Sequence, residues 1–185
     1  MTIFGGNSKR PCFILTMDKE DAILQSIESG RDCSLDEGAT SKHTVLAAAK
    51  LAKERGATRI LFTDNSTKHL PTGYFRLSNM YFLTTGKTWY ESILPCQLVS
   101  LQDQSKYRVW KTRAETNMWA DVYACLQKVC PGIDIDIGET EGQAAMHVLH
   151  RLKDSKTDFF AKYEAELLMC SSIGSLHGLD WEIRI

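Results

Sequence analysis

His147 and His150 stand three residues apart in a segment of helical character, so both imidazoles can face one ligand, with Glu139 and Glu141 near them in sequence. A zinc site needs further fixed ligands, and without a third the pair reads as a solvated or partner-facing feature. Asp134 and Asp136 alternate with Ile133, Ile135 and Ile137, which puts both carboxylates on one face of a strand. Paired carboxylates can move protons or hold Mg²⁺, but the solvent face of a half-buried strand has the same pattern, and that is how the pair is read. Asp64-Asn65-Ser66 has turn chemistry at a strand end, a place where α/β folds put ligands. Ser66 and His69 make no hydrolase triad, because no Gly-x-Ser-x-Gly elbow occurs. Gly86-Lys87-Thr88 has the ending of a phosphate loop, but Tyr81 occupies the position of its first glycine, so that motif is absent. Trp89 and Tyr90 read as packing residues. Lys106, Arg108, Lys111 and Arg113, interleaved with Tyr107 and Trp110, form a basic–aromatic cluster of the kind that binds nucleic acid. Asp103, Glu115 and Asp121 dilute it, and it reads as a solvated helix face.

The elements that must position these groups follow from period and stop signals. Residues 12–17 are a short apolar run of strand formers. Asp18 then reads as the cap of a helix carrying Ala22, Ile23, Leu24 and Ile27, stopped by Gly30. The clearest helix spans residues 43–55; it is alanine-rich and ends at Gly56. Residues 58–63 predict a strand. Residues 78–83 predict a short helix ended by Gly86, and residues 88–94 a second one stopped by Pro95. Residues 97–101 predict a strand, and residues 103–129 two helices meeting near Thr116. Residues 133–137 alternate strictly, as a half-exposed strand does. Helices over residues 140–152 and 158–170 follow, and residues 179–185 close the chain as a strand. Interleaving of this kind predicts an α/β fold in one domain of residues 1–185, with a mixed sheet of about five strands and helices packed on it. Residues 1–11 read as an irregular lead-in, and residues 103–185 as the more helical half.

Composition narrows the partners. The chain has 185 residues, 22 basic and 23 acidic side chains, and a net charge of -1. That excludes a strongly basic nucleic-acid coat and an acidic disordered tail. No apolar run is long enough to span a membrane, and the first residues lack the core of a secretory signal. Of the six cysteines, none forms a Cys-x-x-Cys pair, and Cys125 and Cys130 are five apart. All six read as reduced thiols of a soluble protein in a reducing, cytoplasmic or otherwise intracellular setting.

Residues 43–94 carry a further signal. An alanine-rich helix runs into the turn Glu54-Arg55-Gly56-Ala57-Thr58-Arg59, a strand, a loop, and then Met80-Tyr81-Phe82-Leu83-Thr84-Thr85-Gly86. This order resembles the helix–strand–helix centre of the Gcn5-related N-acetyltransferase fold. In that family a tyrosine shortly before a glycine lies near the thiol of coenzyme A and can protonate the departing thiolate. The resemblance assigns that role to Tyr81, with Tyr90 as the second candidate. The family's pyrophosphate loop runs Arg or Gln, two residues, Gly, one residue, then Gly or Ala, so that amides at a helix start reach the phosphates. The matching stretch reads Leu35-Asp36-Glu37-Gly38-Ala39-Thr40-Ser41. Leu35 and Thr40 break the pattern, and Asp36 and Glu37 carry the wrong charge for a pyrophosphate. A bound cofactor would be cradled by Gly38, Ala39, Thr40 and Ser41. Residues 77–91 also resemble uncharacterised proteins of large DNA viruses, which implies an infected-cell or virion-associated protein.

The reading that results is an acetyltransferase-like domain, degenerate or non-enzymatic and without a cofactor, that works through protein–protein contacts or self-association. It would be a viral structural or accessory protein. The alternative is an acetyl-CoA-dependent N-acetyltransferase using Tyr81 or Tyr90. A third, weaker reading is a nucleic-acid accessory protein using residues 106–113. No membrane partner is expected.

Overall fold

The computed structural model describes residues 1–5, 11–27, 40–135, 140, 142–155 and 157–185. The elements in chain order begin with strands β1 (Thr2–Gly5), β2 (Phe13–Asp18) and β3 (Asp21–Ile27), helix α1 (Ser41–Glu54) and strand β4 (Arg59–Thr63). Strands β5 (Thr67–Leu70) and β6 (Gly73–Arg76), helix α2 (Leu77–Thr85) and strand β7 (Cys96–Leu98) follow. Helices α3 (Leu101–Thr116), α4 (Trp119–Val129), α5 (Ala145–Ser155) and α6 (Thr157–Cys170) precede the last strand, β8 (Asp180–Arg184). Two compact units result: Met1–Thr63 with Ile93–Val99 and Leu179–Ile185, and Asp64–Ser92 with Ser100–Gly178.

The first unit is built on a six-stranded mixed sheet in the order β1-β2-β3-β4-β8-β7. Every neighbouring pair is antiparallel except β3 and β4, which run parallel. A parallel pair cannot be closed by a tight turn and needs a crossover, and α1 lies on the connection between the two strands. It packs on β2, β3 and β4. Val45, Ala48, Ala49 and Ala52 are buried on the helix, and Leu15, Ala22, Leu24, Ile60 and Phe62 on those strands. The small alanine side chains let the helix sit close to the sheet. Gly56, at φ +87°, supplies the left-handed residue that ends it.

Two expectations fail in this unit. The helix expected after Asp18 is strand β3. Lys19, at φ 57°, turns the chain, and Asp18 and Asp21 pair across a tight hairpin. Ala22 and Leu24 are buried while Ile23 is exposed, a period of two. An apolar run this short fits either period; the strand forms because β2 and β4 offer partners on both sides. Residues 2–5 of the expected lead-in are an edge strand on β2, and Met17 N donates to Met1 O at 2.8 Å. The expected closing strand is β8, an internal strand between β4 and β7.

The second unit holds the β5–β6 hairpin and the other five helices. Helices α2, α5 and α6 pack on one another, with α3 and α4 against α5. Phe75, Phe82, Leu149, Leu152, Phe160 and Leu167 are among its fully buried side chains. Gly86, at φ 68°, caps α2 as expected. Only Tyr90–Ser92 of the expected helix over residues 88–94 is helical, as one 3₁₀ turn. Its start is closed reciprocally: Thr88 N donates to Glu91 Oε2 at 2.7 Å and Glu91 N to Thr88 Oγ1 at 3.3 Å. The strand expected to Leu101 stops at Leu98, because Ser100 caps α3 through its Oγ, which accepts from Asp103 N at 3.3 Å. The strand expected over residues 133–137 is absent at residues 133–135, which have no pairing partner.

The cysteine expectation is overturned. Cys125 of α4 and Cys170 of α6 form a disulfide across 45 residues of sequence. Cys12 is disulfide-bonded as well. Cys96 and Cys130 are not disulfide-bonded, and Cys33 lies outside the described residues. A disulfide is favoured by oxidising conditions, which argues against the reducing setting expected. No helix among the described residues is long and apolar enough to cross a membrane.

Candidate functional site

Beside helices α2 and α5 of the second unit lies an open cleft of about 430 Å³ lined by Thr84, Thr85, Gln143, His147, His150 and Arg151. Local sequence places each of them. Residues three and four apart share a helix face, so His147, His150 and Arg151 of α5 form one wall. Val148, Leu149 and Leu152, at the complementary positions, are buried. On α2 the same rule groups Tyr81 with Thr84 and Thr85. At the end of α2 Gly86 adopts φ 68°, which favours glycine, and a Cβ there would meet Met146 Sδ at an ordinary contact distance of 3.4 Å.

The wall on α5 carries one guanidinium, that of Arg151, beside the two imidazoles. Arg151 Nη2 donates to Gln143 Oε1 at 2.8 Å, which orients the guanidinium. Lys153 Nζ lies 5.4 Å from the centre of the Tyr81 ring. The hydroxyls of the other wall turn their protons to their own helix: Thr84 Oγ1 donates to Met80 O and Thr85 Oγ1 to Tyr81 O, both at 2.8 Å. No carboxylate lines the cleft among the described residues. No cluster of three metal-ligating side chains occurs among them either.

Sequence reasoning singled out His147 and His150, and the structure brings both to this cleft. It missed Arg151, Gln143 and Lys153. The signal for Arg151 was its place beside His150 and one turn after His147. Tyr81 is half-buried on α2. Tyr90, the second candidate, is buried and meets Trp89 edge-on with ring centres 5.0 Å apart. In the first unit Thr40 and Ser41 stand at the start of α1, where Thr40 N donates to His43 Nδ1 at 3.1 Å. Gly38 and Ala39 lie outside the described residues, as do Asp136, Glu139 and Glu141. Asp134 is exposed and in no strand.

Asp64 is a second feature of note. Its carboxylate is buried and accepts from Ser66 N at 3.0 Å and Ser66 Oγ at 2.5 Å, an Asx turn. Burial pushes its carboxyl above the usual range, against the hydrogen bonds from Ser66 and the nearby His177. His69 lies tilted against Tyr74 on the β5–β6 hairpin, with ring centres 6.0 Å apart.

The basic–aromatic cluster on α3 is spread among separate contacts. Tyr107 donates to Glu91 Oε2 and packs on Phe82, and Trp110 fills the space beside Gly174. Lys106 pairs with Asp103, Lys111 with Glu91, and Arg113 Nη1 donates to Ser172 O. Its aromatic rings are half-buried and pack within the unit. Comparison with protein-family models, curated proteins and solved structures finds no match for this chain.

Proposed function

We propose that residues 43–94 are an acetyltransferase-like stretch and that the chain serves as a binding domain, not a catalyst, acting through contacts with a protein. The observation that carries this reading is at the start of α1. The Thr40 amide, which a pyrophosphate would have to recruit, is already taken by the His43 imidazole at 3.1 Å. The Gly38 loop pattern also departs from that of the family, and Tyr90 is buried. The order helix α1, turn at Gly56, strand β4 and then helix α2 ended by Gly86, which the resemblance implies, supports the acetyltransferase-like stretch. The surface this reading assigns to a partner is the sheet face that α1 does not cover. Phe4 pairs with Ile14 there, and Ile23 with Leu61, and Phe4 is 65% and Ile23 38% exposed.

A second reading, an acetyl-CoA-dependent N-acetyltransferase, is favoured by Tyr81, which stands on α2 one turn from the cleft. Thermal unfolding with millimolar acetyl-CoA separates the two. A ligand at about 100 times its dissociation constant stabilises by roughly 2.7 kcal/mol, a rise of several degrees for a chain of this size. The binding-domain reading expects no rise, and self-association or partner capture that weakens in Phe4→Ser. A clear rise, with turnover lost in Tyr81→Phe, replaces it with the enzyme.

A further inference from the structure

We propose that Asn65-Ser66-Thr67, on the turn between β4 and β5, is a site of N-linked glycosylation with Asn65 as the acceptor. It draws on neither reading above. An asparagine followed two residues later by Ser or Thr, with no proline between, is the pattern this modification requires. Asn7, Asn79 and Asn117 have Lys9, Tyr81 and Trp119 at that position, so Asn65 alone fits it. The turn then decides access. Asp64 is buried; its carbonyl accepts from Gly178 N at 2.8 Å and its carboxylate from Ser66 N at 3.0 Å. Ser66 O accepts from Leu77 N at 3.1 Å. Both neighbours are thus held to the protein, and Asn65 between them is exposed. A glycan is bulky and polar and belongs on the surface; on Asn65 it projects to solvent without displacing a core side chain. Thr67 is half-buried and its Oγ1 donates to Asn65 O at 3.3 Å, so the hydroxyl that completes the pattern lies against the acceptor residue. An independent observation bears on the compartment. Cys125 and Cys170 are bonded to each other, and Cys12 is in a disulfide. Disulfides form and persist in the oxidising lumen of the secretory route, where this modification is made. In the reaction Asn65 Nδ2 attacks the anomeric carbon of an oligosaccharide carried on a lipid diphosphate. The new C–N bond replaces the C–O bond to the diphosphate, which leaves with the bonding electrons, and Nδ2 gives up one proton. Nothing is oxidised or reduced.

The test is intact mass and peptide mapping of the whole protein isolated from eukaryotic cells, before and after treatment with peptide N-glycosidase. The enzyme should remove one oligosaccharide and leave residue 65 as an aspartate, the product of cleaving a glycosylated amide. Asn65→Gln should abolish the glycan. Thr67→Val should abolish it too, with the acceptor amide itself intact. Thr67→Ser keeps a hydroxyl at the third position and should retain it. An unmodified Asn65 in the wild type overturns the proposal. A thiol count on the same sample then says which premise failed: paired cysteines put the failure in the acceptor, reduced cysteines in the compartment. A glycan that survives Asn65→Gln or Thr67→Val overturns the proposal as well, because it would sit elsewhere or depend on another feature.

Discussion

Asn79 Nδ2 donates to Glu164 Oε1 at 2.7 Å, and both side chains are buried. The same carboxylate accepts from Arg76 N at 3.1 Å and Arg76 Nη1 at 3.4 Å, while Asn79 Oδ1 accepts from Leu176 N at 2.8 Å. One buried acid thus ties the end of β6, the first turn of α2, the middle of α6 and the segment after α6. It follows Tyr163, where α6 departs from helical geometry at φ −127°. Glu164→Leu leaves the Asn79 amide without this acceptor in the interior and should cost about 2–4 kcal/mol. Urea unfolding checks this. Combined with Asn79→Leu, the loss should be well below the sum of the single losses, because both act on one contact.

Cys125 and Cys170 close a loop of 45 residues. On chain-entropy grounds such a link stabilises by up to about 4 kcal/mol. The double variant Cys125→Ala, Cys170→Ala should therefore unfold about 10 °C lower. It is a cleaner test than a reductant, which would also open the bond at Cys12. An unchanged midpoint would mean that α4–α6 packing suffices without the link.

Acid should weaken the first unit through two carboxylates. Hydrogen bonds from Arg59, at 2.6 and 3.0 Å, hold the Asp21 carboxyl below the usual range. Glu182 is lowered first by the Gln97 amide at 2.5 Å and then by Arg184 and Arg59. A group whose folded pKa is depressed stabilises above its ordinary value, near 4, and loses that stability as pH falls through the folded value. Asp21→Asn and Glu182→Gln should thus flatten the fall in unfolding midpoint below about pH 4. Asp64 has the opposite sign. Its raised folded pKa means that its contribution is present in acid and lost as pH rises through that value. Asp64→Asn keeps an oxygen for Ser66, so it should gain on wild type at pH 7 relative to pH 3.

A Cβ at Gly174 would collide with the Trp110 indole. Gly174→Ala should displace that ring from its place on α3 and destabilise by about 1–3 kcal/mol. Tryptophan fluorescence and the unfolding midpoint would report the two effects together. An unchanged spectrum would show that Trp110 does not depend on the space.

Part of the candidate site was legible in sequence. His147 and His150 share a face because helical spacing is local. Arg151 sits on that wall for the same reason, yet nothing marked it, since one arginine beside a histidine is ordinary on a solvated helix. Gln143 enters from before the helix, and Thr84 and Thr85 from a helix some 60 residues earlier. No local pattern links those positions. The alternation at residues 133–137 shows the converse. The period of two was real, but a strand also needs a neighbour to accept its backbone hydrogen bonds, and residues 133–135 have none.

Elements whose signals lie within one turn or one run of residues were determined by the sequence itself. Alanine content and Gly56 specify α1, Gly86 ends α2, and alternation specifies β8. The break near Thr116 divides α3 from α4. These depend on propensity and backbone conformation, which act between near neighbours. Tertiary structure decided what depends on distant segments lying side by side. It made Asp21–Ile27 a strand by setting β2 and β4 on either side of it. It also paired Cys125 with Cys170, buried Glu182 beneath Gln97 and Arg59, and opened a cleft between α2 and α5. A disulfide, a buried carboxylate and a cavity each need partners brought within a few ångströms. Only packing of the whole chain brings them together.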